Sequence, residues 1–269
     1  MELKLLGRGL LAGAFAGLLM FVFVRIVVEP VIEDAIDYEA ARESAQETAA
    51  HHAASGAHEH GTELVSRAVQ MNIGSGVGLI LFGAAMGTLV AIVYAVAIGR
   101  TGNIRPFPLA LLVPAFFFVG VFLVPFAKYP ANPPAVSRDG TVTERGISYL
   151  VLVLCSCLLL FAAVYVGQKV RARSGPFRAT LVAGAAYLFA MGVVFALLPT
   201  FHETPSALVD ESGNVVLGGF PAETLAQFRV YAVAAQAVLW AAIALTFAPL
   251  AERLLQPAST ETADDLISV

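Results

Sequence analysis

Six apolar runs of bilayer length constrain this chain more than any other feature. They cover residues 10–28, 73–98, 107–127, 147–166, 180–198 and 230–250, and each holds at most one charged side chain. At 1.5 Å per residue, about twenty residues cross the roughly 30 Å hydrocarbon core of a membrane. Over all 269 residues, 58% are hydrophobic and 13% charged, against about 45–50% and 25% in an ordinary soluble domain. A mean hydropathy of +0.78 excludes a water-soluble enzyme as the starting point. Lipid offers no hydrogen bonds to an open backbone, so the expectation is an all-α integral membrane protein with six transmembrane helices. Residues 1–250 then form one six-helix membrane domain, 31–71 an outer acidic and His-rich loop, and 251–269 a flexible C-terminal tail.

The first run follows Lys4 and Arg8, as a signal peptide would. It is too long for that role and continues through Arg25 to Glu29 and Pro30 without a cleavage site, so it reads as a spanning helix. With six spans both termini share one side, and the cations choose it. Lys4, Arg8, Arg100, Arg105, Lys169, Arg171, Arg173, Arg178 and Arg253 fall on the terminal side; Arg42, Arg67, Lys128, Arg138, Arg145 and Arg229 fall opposite. Four cations crowd into Lys169–Arg178 alone. The expectation is a multi-pass protein of the cell membrane with both termini cytoplasmic. Fifteen of the twenty acids then face outward, nine of them between Glu29 and Glu63. An acidic mouth concentrates cations, although a solvated surface is the plainer account of any one acid.

Each odd-numbered span starts near an Arg (Arg8, Arg105, Arg178) and ends near a Pro (Pro30, Pro125, Pro199). Each even-numbered span starts near a Glu and an Arg: Glu63 and Arg67, Glu144 and Arg145, Glu223 and Arg229. One reading is three tandem helical hairpins in the same orientation; the other is that these residues are common at membrane helix ends. Gly9, Gly13 and Gly17, with Gly83 and Gly87, have the four-residue spacing that lets membrane helices approach closely. No G-x-x-x-x-G-K-[ST] is present, so ATP binding by that motif is not expected. The net charge of -4 and the lack of a basic block argue against nucleic acid as a partner. Cys155 and Cys157 lie about 200° apart on a helix and read as packing residues. Gln236, a polar group at membrane depth, is either a pathway residue or an interhelical hydrogen bond.

Chemistry concentrates in the first outer loop. Four of the five histidines, His51, His52, His58 and His60, fall within ten residues, beside Glu59. Neutral imidazole is the commonest ligand for first-row divalent metals, and a carboxylate can complete the set. His58-Glu59-His60 lacks the one-turn spacing of H-E-x-x-H, so capture of a metal is expected and hydrolysis is not. A solvated linker with idle histidines is the alternative. The stiff, Pro-dense PFAKYPANPP (125–134) holds Lys128, Tyr129 and Asn132 at the surface, while LPTFHETP (198–205) brings His202 and Glu203 to the same side as second-rank metal ligands.

These stretches resemble the CbtA family of probable cobalt transporter subunits. The resemblance lies in Pro125–Pro134 followed by Arg145, in the His-rich loop, and in Gly219-Phe220-Pro221-Ala222, Leu225, Phe228-Arg229, Gln236 and Leu239-Trp240. It extends to about Leu250. Where the family usually carries Glu-Val-Pro after the fifth helix, this chain has Glu203-Thr204-Pro205 and a longer insertion through Gly218. The resemblance implies membrane passage of cobalt, with the ion as cargo and no resident cofactor, and a small membrane subunit as partner. A homo-oligomer is compatible with it. The alternative is a metal-sensing or structural membrane partner of another transporter.

The cation asymmetry makes a direct prediction about sidedness. Single cysteines introduced at Ala53 and Ser174 should react with an impermeant thiol reagent from opposite sides of the membrane in intact cells. Labelling of both from outside would overturn the assigned topology.

Overall fold

The computed structural model describes residues 2–51, 69–101, 104–137, 139–210 and 212–255. Nearly all of these are helical. The helices are α1 (Glu2–Phe23), α2 (Glu29–His51), α3 (Ser75–Ala97), α4 (Pro106–Phe117), α5 (Val124–Lys128), α6 (Val142–Leu197) and α7 (Ala222–Leu255), with a two-stranded hairpin of β1 (Leu208–Val209) and β2 (Val215–Leu217) between α6 and α7. Single π-helical segments join α1 to α2 (Val24–Val28), precede α3 (Gln70–Gly74) and join α4 to α5 (Phe118–Leu123). Two compact units divide the chain: Met1–Phe21, Gly74–Phe117 and Ala237–Val269 form one, and Val22–Ile73 with Phe118–Gln236 form the other.

In the first unit, glycines set the packing of α1 against α3. A Cβ on Gly9 would overlap the carbonyl of Gly87, one on Gly13 that of Gly83, and one on Gly17 that of Leu79. Residue numbers rise on one helix as they fall on the other, so the two run antiparallel. Lipid gives apolar helices little reason to associate, and backbone contact through small residues supplies that reason as dispersion. Further along α3, Tyr94 is fully buried. Its ring meets Phe247 of α7 edge-on at 5.4 Å, and its hydroxyl donates to the Pro106 carbonyl at 3.2 Å. Phe117 stacks on Trp240 at 5.5 Å, and the Arg8 guanidinium donates to the Leu250 carbonyl.

In the second unit, the helix continues past the first apolar run as α2 and reaches His51, where the sequence reading opens a loop at residue 31. Its Ala, Glu and Arg residues favour helix in water without an apolar stripe. His52, His58, Glu59 and His60 lie outside the described residues. The 56 residues of α6 are not one straight rod, because Gly175 has φ 77° and ψ 166°. That is left-handed backbone, which Gly tolerates, and Pro176 restarts the helix where its missing N–H costs nothing. The Ser156 and Tyr187 hydroxyls lie 2.8 Å apart, Leu152 and Met191 share a core with Tyr129 and Tyr187, and a Cβ on Gly167 would stand 3.2 Å from that of Ala183. The arms of α6 therefore fold back antiparallel about Gly175. Phe161, Leu188, Phe189 and Leu197 are 69–80% exposed, a surface suited to lipid.

Exchanging Gly83 for Val should weaken the α1–α3 contact by about 1–3 kcal/mol, the usual cost of overpacking. Gly78 has open space around it, so Gly78→Ala should be neutral or mildly stabilising as a better helix former. Thermal unfolding in detergent distinguishes them. Equal loss from both variants would contradict the described packing.

Candidate functional site

The Pro-dense turn after α5 and the segment after α6 are tied together at several points of the second unit. Tyr129 donates its hydroxyl to the Pro199 carbonyl at 2.7 Å, and Lys128 donates from Nζ to Thr200 Oγ1 at 3.0 Å. Burial pushes the Tyr129 phenol above its ordinary pKa, with a hydrogen bond to Ser148 pulling the other way, so it remains a donor. Together these bonds bring His202 and Glu203 beside Lys128, Tyr129 and Asn132.

Glu203 is the centre of the arrangement. Its side chain is 4% exposed and accepts from Arg145 Nη1 at 2.7 Å. Asn132 Nδ2 donates to the same oxygen, Oε2, at 2.8 Å, and Thr141 donates to Oε1 at 2.6 Å. Thr141 is the N-cap of α6, so the carboxylate sits at the helix end that favours negative charge. Arg145, in the first turn of α6, also donates from Nη2 to the Pro130 carbonyl at 3.0 Å. Asn132 accepts on Oδ1 from Arg229 Nη2 of α7 at 3.1 Å. One amide thus donates to an acid and accepts from a guanidinium, which fixes its orientation. Charge-assisted bonds of this kind are the strong ones, and here they tie the turn after α5, α6, the segment after it and α7 into one cluster.

This cluster borders a cavity of about 460 Å³ lined by Lys128, Tyr129, Pro130, Asn132, Arg145, Phe201, His202, Glu203, Thr204 and Arg229. His202 is exposed at its edge. Both oxygens of Glu203 already accept, Oε2 from Arg145 and Asn132 and Oε1 from Thr141, so a metal ion would meet a carboxylate committed to three donors. Among the described residues no group of three or more His, Cys, Asp or Glu side chains is placed to hold a metal.

A second junction lies nearby in the same unit. Ala35 of α2, Val136 and Phe220 form a small buried core, with the Tyr38 ring edge-on to Phe220 at 5.0 Å. Tyr38 donates to the Gly218 carbonyl at 3.0 Å, and Arg42 donates to that of Ser206 at 2.9 Å. Helix α2, the segment between α5 and α6 and the segment between α6 and α7 therefore meet. The inserted β1–β2 hairpin is closed by Asp210, which accepts from the backbone N–H of Asn214 at 2.8 Å. That bond, with the Asn214 side chain, holds its carboxyl below its ordinary pKa.

The Arg145 and Arg229 roles are what the sequence reading misses. It notes both as helix-start cations but has no way to aim them at Glu203 and Asn132. Removing one member of a buried pair costs about 3–5 kcal/mol, because the other charge is left uncompensated. Arg145→Ala strands a buried carboxylate and should lose stability in that range. Glu203→Gln leaves only the partly exposed Arg145 and should lose less. Unfolding of the purified variants gives the order, and the reverse order would refute the asymmetry of the pair.

Sequence comparison gives an independent view of the same chain. No curated protein matches it, and no solved structure does. A family model described as CbtA, probable cobalt transporter subunit, matches residues 2–252. Because that match takes in nearly the whole chain, including the turn at Pro125–Pro134, Arg145, Glu203 and Arg229, the protein belongs to the CbtA family.

Proposed function

We propose that the chain is a six-span transporter subunit of the cell membrane that passes Co²⁺ inward as cargo, with both termini cytoplasmic. The observation that carries this reading is the family match across residues 2–252, on a chain with five helical stretches long and apolar enough to cross a membrane. The longest of these, 56 residues, would measure about 84 Å if straight, nearly three times the hydrocarbon core. Its antiparallel arms about Gly175 support counting it as two crossings, and so six in all. The word subunit in the family description supports a membrane partner, which we take to be small. Homo-oligomerisation is compatible with this.

His51, His52, His58 and His60, with Glu59, collect the ion on the outer side, and His202 contributes near the mouth. The meeting of α2 with the segments that hold Val136 and Phe220 supports a mouth shared by three segments. Glu203, engaged by Arg145, Asn132 and Thr141, we assign to holding that mouth in shape rather than to first contact with metal. Inward passage of a dication gains about 4.6 kcal/mol per 100 mV of membrane potential, so no nucleotide site is required.

The test is Co²⁺ uptake by proteoliposomes holding the purified protein under an imposed potential. Replacing His51, His52, His58 and His60 together by Ala should lower uptake several-fold at scarce Co²⁺ and leave most of it at abundant Co²⁺. Loss at every concentration would place these histidines in the pathway itself. No uptake by correctly inserted wild type would favour a metal-sensing or structural partner of another transporter.

A further inference from the structure

We infer that the cavity beside Glu203 is a binding site for an oxyanion, a carboxylate or phosphate group, and not for a bare metal cation. Three permanent cations line it, Lys128, Arg145 and Arg229, against one carboxylate, Glu203. That carboxylate is spent on Arg145, Asn132 and Thr141. Lys128 and Arg229 have no carboxylate partner among the described residues. Among the described residues Lys128 Nζ bonds the Thr200 hydroxyl and stands 5.9 Å from the Tyr129 ring centroid. Arg229 bonds the Asn132 amide oxygen through Nη2, and its buried Nε has no partner among the described residues.

Two uncompensated cations beside a third repel one another unless something negative joins them. An oxyanion supplies that charge. A guanidinium presents its donors in a fixed fork that matches carboxylate or phosphate oxygens, and an ammonium adds a point charge from another direction. The volume, about 460 Å³, falls in the range of small-molecule sites. It accepts a small organic polycarboxylate or the headgroup of an anionic lipid. Both present the same chemistry to Lys128 and Arg229.

The test uses the full chain in nanodiscs without added metal. Citrate and inorganic phosphate are titrated calorimetrically in discs of phosphatidylcholine alone, and co-purified phosphatidylglycerol is measured by native mass spectrometry after reconstitution in a mixture of the two lipids. Binding of either kind should fall about tenfold or more in Arg229→Gln and in Lys128→Gln, the loss of one charge-assisted contact. It should be unchanged in Arg173→Gln, which alters an exposed cation near the Gly175 turn. Thermal unfolding of each variant shows whether it is folded, and Lys128→Gln decides should Arg229→Gln not fold. Citrate or phosphate binding that follows this pattern identifies a soluble oxyanion, and phosphatidylglycerol retention that follows it identifies a lipid headgroup. No binding of either kind, or binding that both cavity variants retain, would overturn the proposal.

Discussion

A chain in lipid must satisfy its backbone from within, and the architecture follows from how it meets that demand where prolines interrupt the helices. Pro125 has no N–H to give the carbonyl of Val121, four residues before it. The chain accommodates the defect with a π-helical segment at Phe118–Leu123, and the Tyr149 hydroxyl of α6 donates to that same Val121 carbonyl at 3.3 Å. A loss internal to one helix becomes a bond between two. The π-segment Val24–Val28 likewise ends just before Glu29 and Pro30. Prolines that would break helices in isolation are retained because surrounding structure re-forms the local bonding.

The same principle, applied to charge, organises the polar end of the second unit. A buried carboxylate is costly unless paired and hydrogen-bonded, and Glu203 has three donors from two separate stretches of chain. Because those stretches are the turn after α5 and the start of α6, the acid fixes where the segment after α6 lies. Asn132 extends the effect to α7 through Arg229. The stiffness expected of Pro125–Pro134 contributes by presenting Asn132 and the Pro130 carbonyl with little freedom to lose.

The apolar runs were legible in the sequence because lipid demands length and hydrophobicity, both of which are local properties. The approach of Gly9, Gly13 and Gly17 to Gly83 and Gly87 was legible for the same reason, since four-residue spacing is local on each helix. The extension of α2 to His51 was not, because its acids and alanines show no apolar period and its helicity rests on propensity. Nor was the environment of Glu203. Arg145 is 58 residues away and Asn132 71, and nothing in local patterning says which acid a distant arginine will find. The charge runs suggested a cation-attracting mouth from a tally of acids, whereas this cavity gathers three cations against one carboxylate.

That field bears on how a dication could approach. A divalent ion about 6 Å from one uncompensated unit charge is repelled by about 5–6 kcal/mol at an effective dielectric constant near 20. This is comparable to the roughly 4.6 kcal/mol that 100 mV of membrane potential supplies to a dication. With Lys128 and Arg229 both lacking a carboxylate partner, a bare ion entering this cavity would lose more than the potential returns. An anion held between them reverses the sign of the local field, and a polyanion would leave oxygens free to face a metal. On this arithmetic, oxyanion occupancy and metal passage are compatible at one mouth: the first removes the barrier that the cavity's own cations raise against the second.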